Sequence, residues 1–137
     1  MSRSRFAGLL IIACFLTVAS IFSGCSIFGH GTEWTYSPMY PDSLTISGSM
    51  IVNDRILFEL DSAFNSPCNE YSHAELKQNA NDIYVKFYQR RDKSTICATV
   101  MVPTQISWSY TPLMPGDYRF HFWQSDTTSL DTTVTVL

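Results

Sequence analysis

The strictest constraint on this chain is a period-two alternation of apolar and polar side chains near its end. Tyr118, Phe120 and Phe122 alternate with Arg119, His121 and Trp123. After Ser125–Thr128, Leu130, Thr132, Val134 and Val136 alternate with Asp131, Thr133 and Thr135. Successive side chains of a strand point to opposite faces, so each run predicts a strand with one face in a core and the other facing out. A helix of 3.6 residues per turn would scatter the same residues around its axis. Shorter runs repeat the pattern. Leu44–Ser47 alternates, and so do Ile56, Phe58 and Leu60 after the turn signal Asn53-Asp54. Thr95–Val102 places Ile96, Ala98, Val100 and Val102 on one face and is expected to stop at Pro103. Gln105–Tyr110 is a short strand that carries Trp108 as a core candidate.

The middle of the chain predicts a hairpin. Tyr71–Gln78 and Ile83–Arg90 flank Asn79-Ala80-Asn81-Asp82, a tract of turn-forming residues. A four-residue loop sets Leu76 opposite Val85 and Ala74 opposite Phe87, facing in. It sets Glu75 opposite Lys86, His73 opposite Tyr88 and Lys77 opposite Tyr84, facing out. A slip of one residue would bury His73 and Glu75 beside Val85 and Phe87, which excludes that register.

Seven to eight short strands separated by turn signals, with no helical period between them, predict an all-β antiparallel sandwich. The run Leu113-Met114-Pro115-Gly116-Asp117-Tyr118 resembles the turn into a late strand of immunoglobulin-like domains. That resemblance implies a tyrosine, Tyr118, whose hydroxyl pins a corner of the sandwich.

The start of the chain is a different kind of sequence. Arg3 and Arg5 precede an uncharged apolar stretch, Phe6–Phe22, which ends in small residues. A basic start, an apolar middle and a small-residue cut site form a secretory signal. Phe22-Ser23-Gly24-Cys25 resembles the lipobox of bacterial lipoproteins, with Phe22 where Leu is usual. The resemblance implies cleavage before Cys25, a diacylglycerol on its thiol and an acyl chain on the new amine. Several acyl chains hold a protein on a membrane stably, where one holds it marginally. Ser26, in place of an aspartate, implies the outer membrane. An uncleaved transmembrane helix and a plain secretory signal are the competing readings. The stretch is about 17 residues, at the short limit of a span. The expected layout is a signal peptide over 1–24, a lipidated tether over 25–42 and a β-sandwich over 43–137. Trp34, Tyr36 and Tyr40 are unusual in a linker and predict that part of the tether packs on the domain.

Without the signal, the chain carries 7 basic against 12 acidic residues. This balance excludes a basic footprint for nucleic acid. Of the four cysteines, Cys14 leaves with the signal and Cys25 is the anchor. Cys68 and Cys97 remain, in a compartment where disulfides persist, and are expected to pair. The rival arrangement, a metal held by Cys68, Cys97, His73 and His121, lacks Cys-x-x-Cys or His-x-x-x-His spacing.

Catalytic patterns are sparse. Ser49 follows Gly48 without the flanking residues of a nucleophile elbow, and no glycine-rich phosphate loop occurs. Glu59, Asp61, Glu70 and Glu75 are carboxylates without a predicted cleft. No cofactor or metal is expected. The informative surface is an aromatic outer face, with Arg119, His121 and Trp123 on one strand and Tyr84 and Tyr88 on another. Aromatic rings beside hydrogen-bonding groups stack on sugars or anchor protein partners; the competing reading is that these rings only cover the sheet, or that the aromatic tether folds over them. The expected function is therefore a non-enzymatic binding or structural module on the bacterial envelope, bound to the membrane through Cys25. Its partner is expected to be an envelope protein or a glycan. An inhibitor of an envelope protease or lysozyme-like enzyme, presenting Gln105–Met114 or Asp61–Asn69, is one alternative. A small envelope hydrolase is another.

Overall fold

The computed structural model describes residues 31–137. The expected signal peptide and Cys25 lie outside the described residues. Thr32–Leu137 forms one compact unit of eight strands in two sheets. In chain order these are β1 (Trp34–Met39), β2 (Pro41–Gly48), β3 (Ile56–Phe64), β4 (Glu70–Asn79), β5 (Asp82–Asp92), β6 (Val102–Tyr110), β7 (Gly116–Trp123) and β8 (Ser129–Val136). The three-stranded sheet has the order β2-β3-β6, and the five-stranded sheet is built around β5. β4 covers one edge of β5 along most of its length. The other edge is divided: β1 runs antiparallel along Phe87–Asp92, and β7 runs parallel along Asp82–Val85. β8 then pairs antiparallel with β7.

The parallel β5–β7 ladder departs from the antiparallel expectation. Its cause lies in the connection. Parallel neighbours need a crossover, and between β5 and β7 the chain crosses to the other sheet, forms β6 and returns.

The alternation does what the sequence predicts. Ile83, Val85 and Phe87 of β5 and Tyr118, Phe120 and Phe122 of β7 are buried, while Tyr84, Lys86, Arg119 and His121 face out. Ile56, Phe58 and Leu60 of β3 are wholly buried opposite them. The core is an aromatic cluster that joins the two sheets. Phe58 lies 4.6 Å from Phe120 and 5.5 Å from Phe122 between ring centroids, and Trp108 packs 5.3 Å from Phe58. The tilted and edge-on geometries match the quadrupoles of the rings, and such pairs contribute about 0.5–1.5 kcal/mol beyond area burial. Tyr118 is buried, and its hydroxyl donates to the Met114 carbonyl at 2.9 Å. This is the corner bond that the immunoglobulin-like run implies.

The β4–β5 register is the predicted one, pair for pair, from His73↔Tyr88 to Lys77↔Tyr84. Two details differ. Asn79 and Asp82 pair as well, so the turn is only Ala80-Asn81, with Ala80 at φ 53°. Leu76, expected to face in, is exposed, because β4 is an outer strand with little of the opposite sheet beneath it.

Three boundaries move. The expected tether, 25–42, contains β1 and the start of β2. Met39 and Pro41 are buried, and the sandwich therefore starts before Ser43. The chain from Trp34 to Gly48 runs nearly unbroken and changes sheet at Tyr40, where Ser62 donates its hydroxyl to the Tyr40 carbonyl at 2.6 Å. Thr95–Met101 is not a strand. It spans from the end of β5 in one sheet to the start of β6 in the other, beyond reach of a ladder that would satisfy it. Pro103 does not stop the next strand but lies within β6, opposite Ala63. β6 pairs with β3 alone among the described strands, and an outer strand tolerates a residue without an N–H.

Cys68 and Cys97 form a disulfide with Cα atoms 6.2 Å apart. It ties the β3–β4 connector to the β5–β6 connector, outside both ladders, which explains why Cys97 has the wrong parity for the apolar set around it. The pairing also removes both sulfurs from the alternative metal set.

Candidate functional site

The outer face of the five-stranded sheet gathers the five singled-out residues. On β5, Asp82, Tyr84, Lys86, Tyr88 and Arg90 share one parity, opposite to the buried Ile83, Val85 and Phe87. On β7, Arg119, His121 and Trp123 do the same. The parallel register places Arg119 beside Asp82 and His121 beside Tyr84. No sequence argument anticipates this juxtaposition.

The outward side chains pair with one another in groups across the sheet. Arg119 bonds Asp82 through two nitrogens, each 2.8 Å from an oxygen. The Tyr84 and His121 rings stack 4.7 Å apart with a 19° tilt. His121 has a carboxylate at each nitrogen: Nδ1 is 3.0 Å from Asp131 and Nε2 is 3.3 Å from Asp82. Lys86 sets its Nζ 4.0 Å from the centre of the Trp123 ring and 5.7 Å from that of Tyr88, bridging the two by cation–π attraction. Tyr88 stacks on His73 at 5.0 Å and donates its hydroxyl to Glu75 at 3.0 Å. Tyr36 meets His73 edge-on at 5.9 Å, and Arg90 lies over Trp34 at 4.4 Å. Trp34 and Tyr36 come from the segment expected to be tether. They extend this set of pairs rather than merely covering it.

The electrostatics follow the hydrogen bonds. The Ser129 hydroxyl donates to Asp131 at 2.6 Å, and this bond, helped by His121, holds the Asp131 carboxyl below its ordinary value. Burial first, and then the Glu75 carboxylate, push the Tyr88 phenol up. Ser129, Asp131 and His121 thus form a chain with the carboxylate in the middle. In a hydrolytic triad the histidine stands between serine and carboxylate and removes the serine proton. Here the serine hydroxyl is spent on the aspartate, and His121 is stacked and clamped. His73, the other histidine among the described residues, bonds the Ser72 hydroxyl through Nδ1 at 2.9 Å and sits against Tyr88.

Beside these pairs is a groove of about 650 Å³. Tyr84, His121 and Trp123 provide its aromatic wall, Glu75, Lys77 and Lys86 its charged side, and the β7–β8 loop Ser125–Ser129 its hydroxyl-rich rim. The loop is fixed by its own bonds: the Ser125 and Thr128 hydroxyls lie 2.7 Å apart, and the Ser125 N–H donates to the Thr128 carbonyl at 3.1 Å. A concave site with aromatic surface and a few convergent polar groups suits a ligand that presents both rings and hydroxyls.

Sequence reasoning missed Asp82, Lys86 and the loop. The first two were legible in principle, since they share the parity of Tyr84 and Tyr88. The loop carried no pattern. The alternative inhibitor loops fit less well. Gln105–Tyr110 belongs to β6 and Asp61–Phe64 to β3, so only Thr111–Pro115 and Asn65–Asn69 are loops, and the disulfide staples the second.

The ORF11 beta-sandwich domain matches the chain over residues 58–136. No curated protein and no solved structure matches it. The matched stretch runs from Phe58 in β3 to the end of β8 and contains the groove, the disulfide and the Tyr118 corner, but not Trp34 or Tyr36. It covers more than half of the chain, which therefore belongs to the ORF11 beta-sandwich domain family.

Proposed function

We propose that this protein is a lipoprotein of the bacterial envelope, held on the membrane through Cys25, whose sandwich binds a glycan in the groove beside Tyr84, His121 and Trp123. The single observation that carries the binding reading is that groove: partly exposed aromatic surface stands next to carboxylate, ammonium and hydroxyl groups on strands and a self-bonded loop. Sugar rings present apolar C–H faces and polar edges, and this lining offers partners to both. Rigid placement lowers the entropy lost on binding. The other outer face is a contrast. Ser43 and Gln105 bond Asp61 there, and Ser107 bonds Glu59, so its polar groups satisfy one another and leave no aromatic platform.

The test has two arms. Cell fractionation compares the native chain with Cys25→Ala; the anchor reading expects release of the variant from membranes, and retention refutes it. Calorimetry with soluble oligosaccharides from the envelope compares the native groove with Trp123→Ala. Loss of one stacking partner, about 1.4 kcal/mol, weakens binding roughly tenfold. Absence of oligosaccharide binding, together with an envelope protein crosslinked from position 86, assigns the groove to a protein partner instead.

A further inference from the structure

The two ends of the sandwich differ in how the chain enters them. β1 begins at Trp34, opposite Asp92 at the end of β5, and the Lys93 N–H donates to the Glu33 carbonyl at 2.9 Å. The β3–β4 connector and the Cys68–Cys97 disulfide occupy the same end, since Glu70 pairs with Arg90. So does Thr95–Met101, which crosses from β5 to β6. The opposite end holds the β2–β3 turn, the β4–β5 turn, the β6–β7 loop and the C-terminus; there the Val52 N–H donates to the Leu137 carbonyl and the Asn53 N–H to the Pro112 carbonyl.

Thr95–Met101 is unusual for a surface segment. Ile96 is fully exposed, and Val100 and Met101 are 57% and 56% exposed. The disulfide holds the segment at Cys97, so these side chains are presented by a constrained backbone. Charged groups stand at the strand ends from which the segment leaves: Arg90 bonds Glu70 at 2.7 Å, Lys93 bonds Glu33, and Asp92 accepts from Ser94. Exposed apolar side chains flanked by charged groups match the depth profile of a bilayer interface, with hydrocarbon beneath headgroups.

We propose that Ile96, Val100 and Met101 form a second membrane contact, inserting into the outer layer of the bilayer to which Cys25 is anchored. The occupant follows from chain length. Nine residues lead from Cys25 to Trp34, and fully extended they reach about 30 Å. The end of the sandwich where Trp34 starts is therefore kept near the lipid, with the apolar segment on that end. The opposite end lies farther away by the length of β5, eleven residues, or about 35 Å. Its own exposed apolar residues, Leu113 and Met114, are out of reach when the near end touches the bilayer. Two contacts would fix the tilt of the domain and keep the groove at a constant height over the membrane.

This inference rests on the Cys25 anchor, and the experiment separates the two. The full chain is produced in a bacterial host that processes lipoproteins, with a photoreactive amino acid placed at Ile96, at Val100 or, as control, at Leu113. All three positions are solvent-exposed, so folding is preserved. Illumination of isolated membranes is followed by mass spectrometry of both the crosslinked peptide and the peptide starting at Cys25. Lipid adducts at 96 and 100 but none at 113 support the contact. An acylated Cys25 peptide without lipid adducts at 96 and 100 overturns the contact and leaves the anchor standing. A Cys25 peptide without acyl chains overturns both. Protein adducts at 96 in place of lipid overturn it as well and assign the segment to a protein interface.

Discussion

Replacing Tyr118 with Phe isolates one hydrogen bond. The ring is 3% exposed, lies 5.8 Å from Tyr110 and keeps this packing in the variant. Only the hydroxyl is lost, with its bond to the Met114 carbonyl at 2.9 Å. A bond of this kind contributes about 0.5–1.5 kcal/mol net. The carbonyl belongs to an exposed loop and regains water, so the additional cost of a stranded acceptor does not apply. The expected loss is about 1 kcal/mol, which lowers Tm by about 4–6 °C in a domain of this size. Tyr110→Phe is the matched control. Its hydroxyl bonds Gln78 at 3.3 Å in an exposed setting, and its removal changes stability by less than about 0.5 kcal/mol. Urea unfolding of the oxidised protein measures both. The midpoint should fall for Tyr118→Phe while the slope stays constant, since the surface exposed on unfolding is unchanged. A Tyr118→Phe loss no larger than that of Tyr110→Phe refutes the assignment of the corner bond to this tyrosine.

Two further outcomes are expected. Replacing Cys68 and Cys97 together with Ser opens a loop closed over a sequence separation of 29, and the chain-entropy estimate of the loss is about 3.6 kcal/mol; urea unfolding that shows almost no loss refutes it. Asp131→Asn removes a carboxyl whose folded-state pKa lies below its ordinary 3.8, chiefly because Ser129 donates to it. Its contribution is complete above that value and disappears as pH falls through it toward the lowered folded value. Stability measured against pH should therefore separate native and variant proteins at neutral pH and bring them together in acid; a constant gap across the range contradicts the linkage.

The fold was legible wherever local alternation coincides with burial. Phe120 and Phe122, Val134 and Val136, and Phe58 and Leu60 each announce a strand and an inward face, and each is buried. The β4–β5 register was legible because the wrong register would bury His73 and Glu75. Alternation misled at Ile96, Ala98 and Val100, which lie before β6 begins at Val102. A strand needs a neighbour as well as a pattern, and the β5–β6 connector has none. It was silent at Trp34–Met39, whose Pro38 and mixed polarity hide an outer strand until β5 is in place beside it.

The aromatic face divides in the same way. By parity alone the sequence determined that Arg119, His121 and Trp123 share one side of a strand and that Tyr84 and Tyr88 share one side of another. It also pointed to Cys68 and Cys97 as a pair, and the two are bonded. Only the tertiary structure decided that these two sides are one surface. The chain visits the opposite sheet between β5 and β7 and returns parallel, setting His121 against Tyr84 and Arg119 against Asp82. Periodicity reports the direction of a side chain relative to its own strand. Which strands become neighbours depends on crossovers and on burial summed over the whole core, and neither can be read from a local pattern.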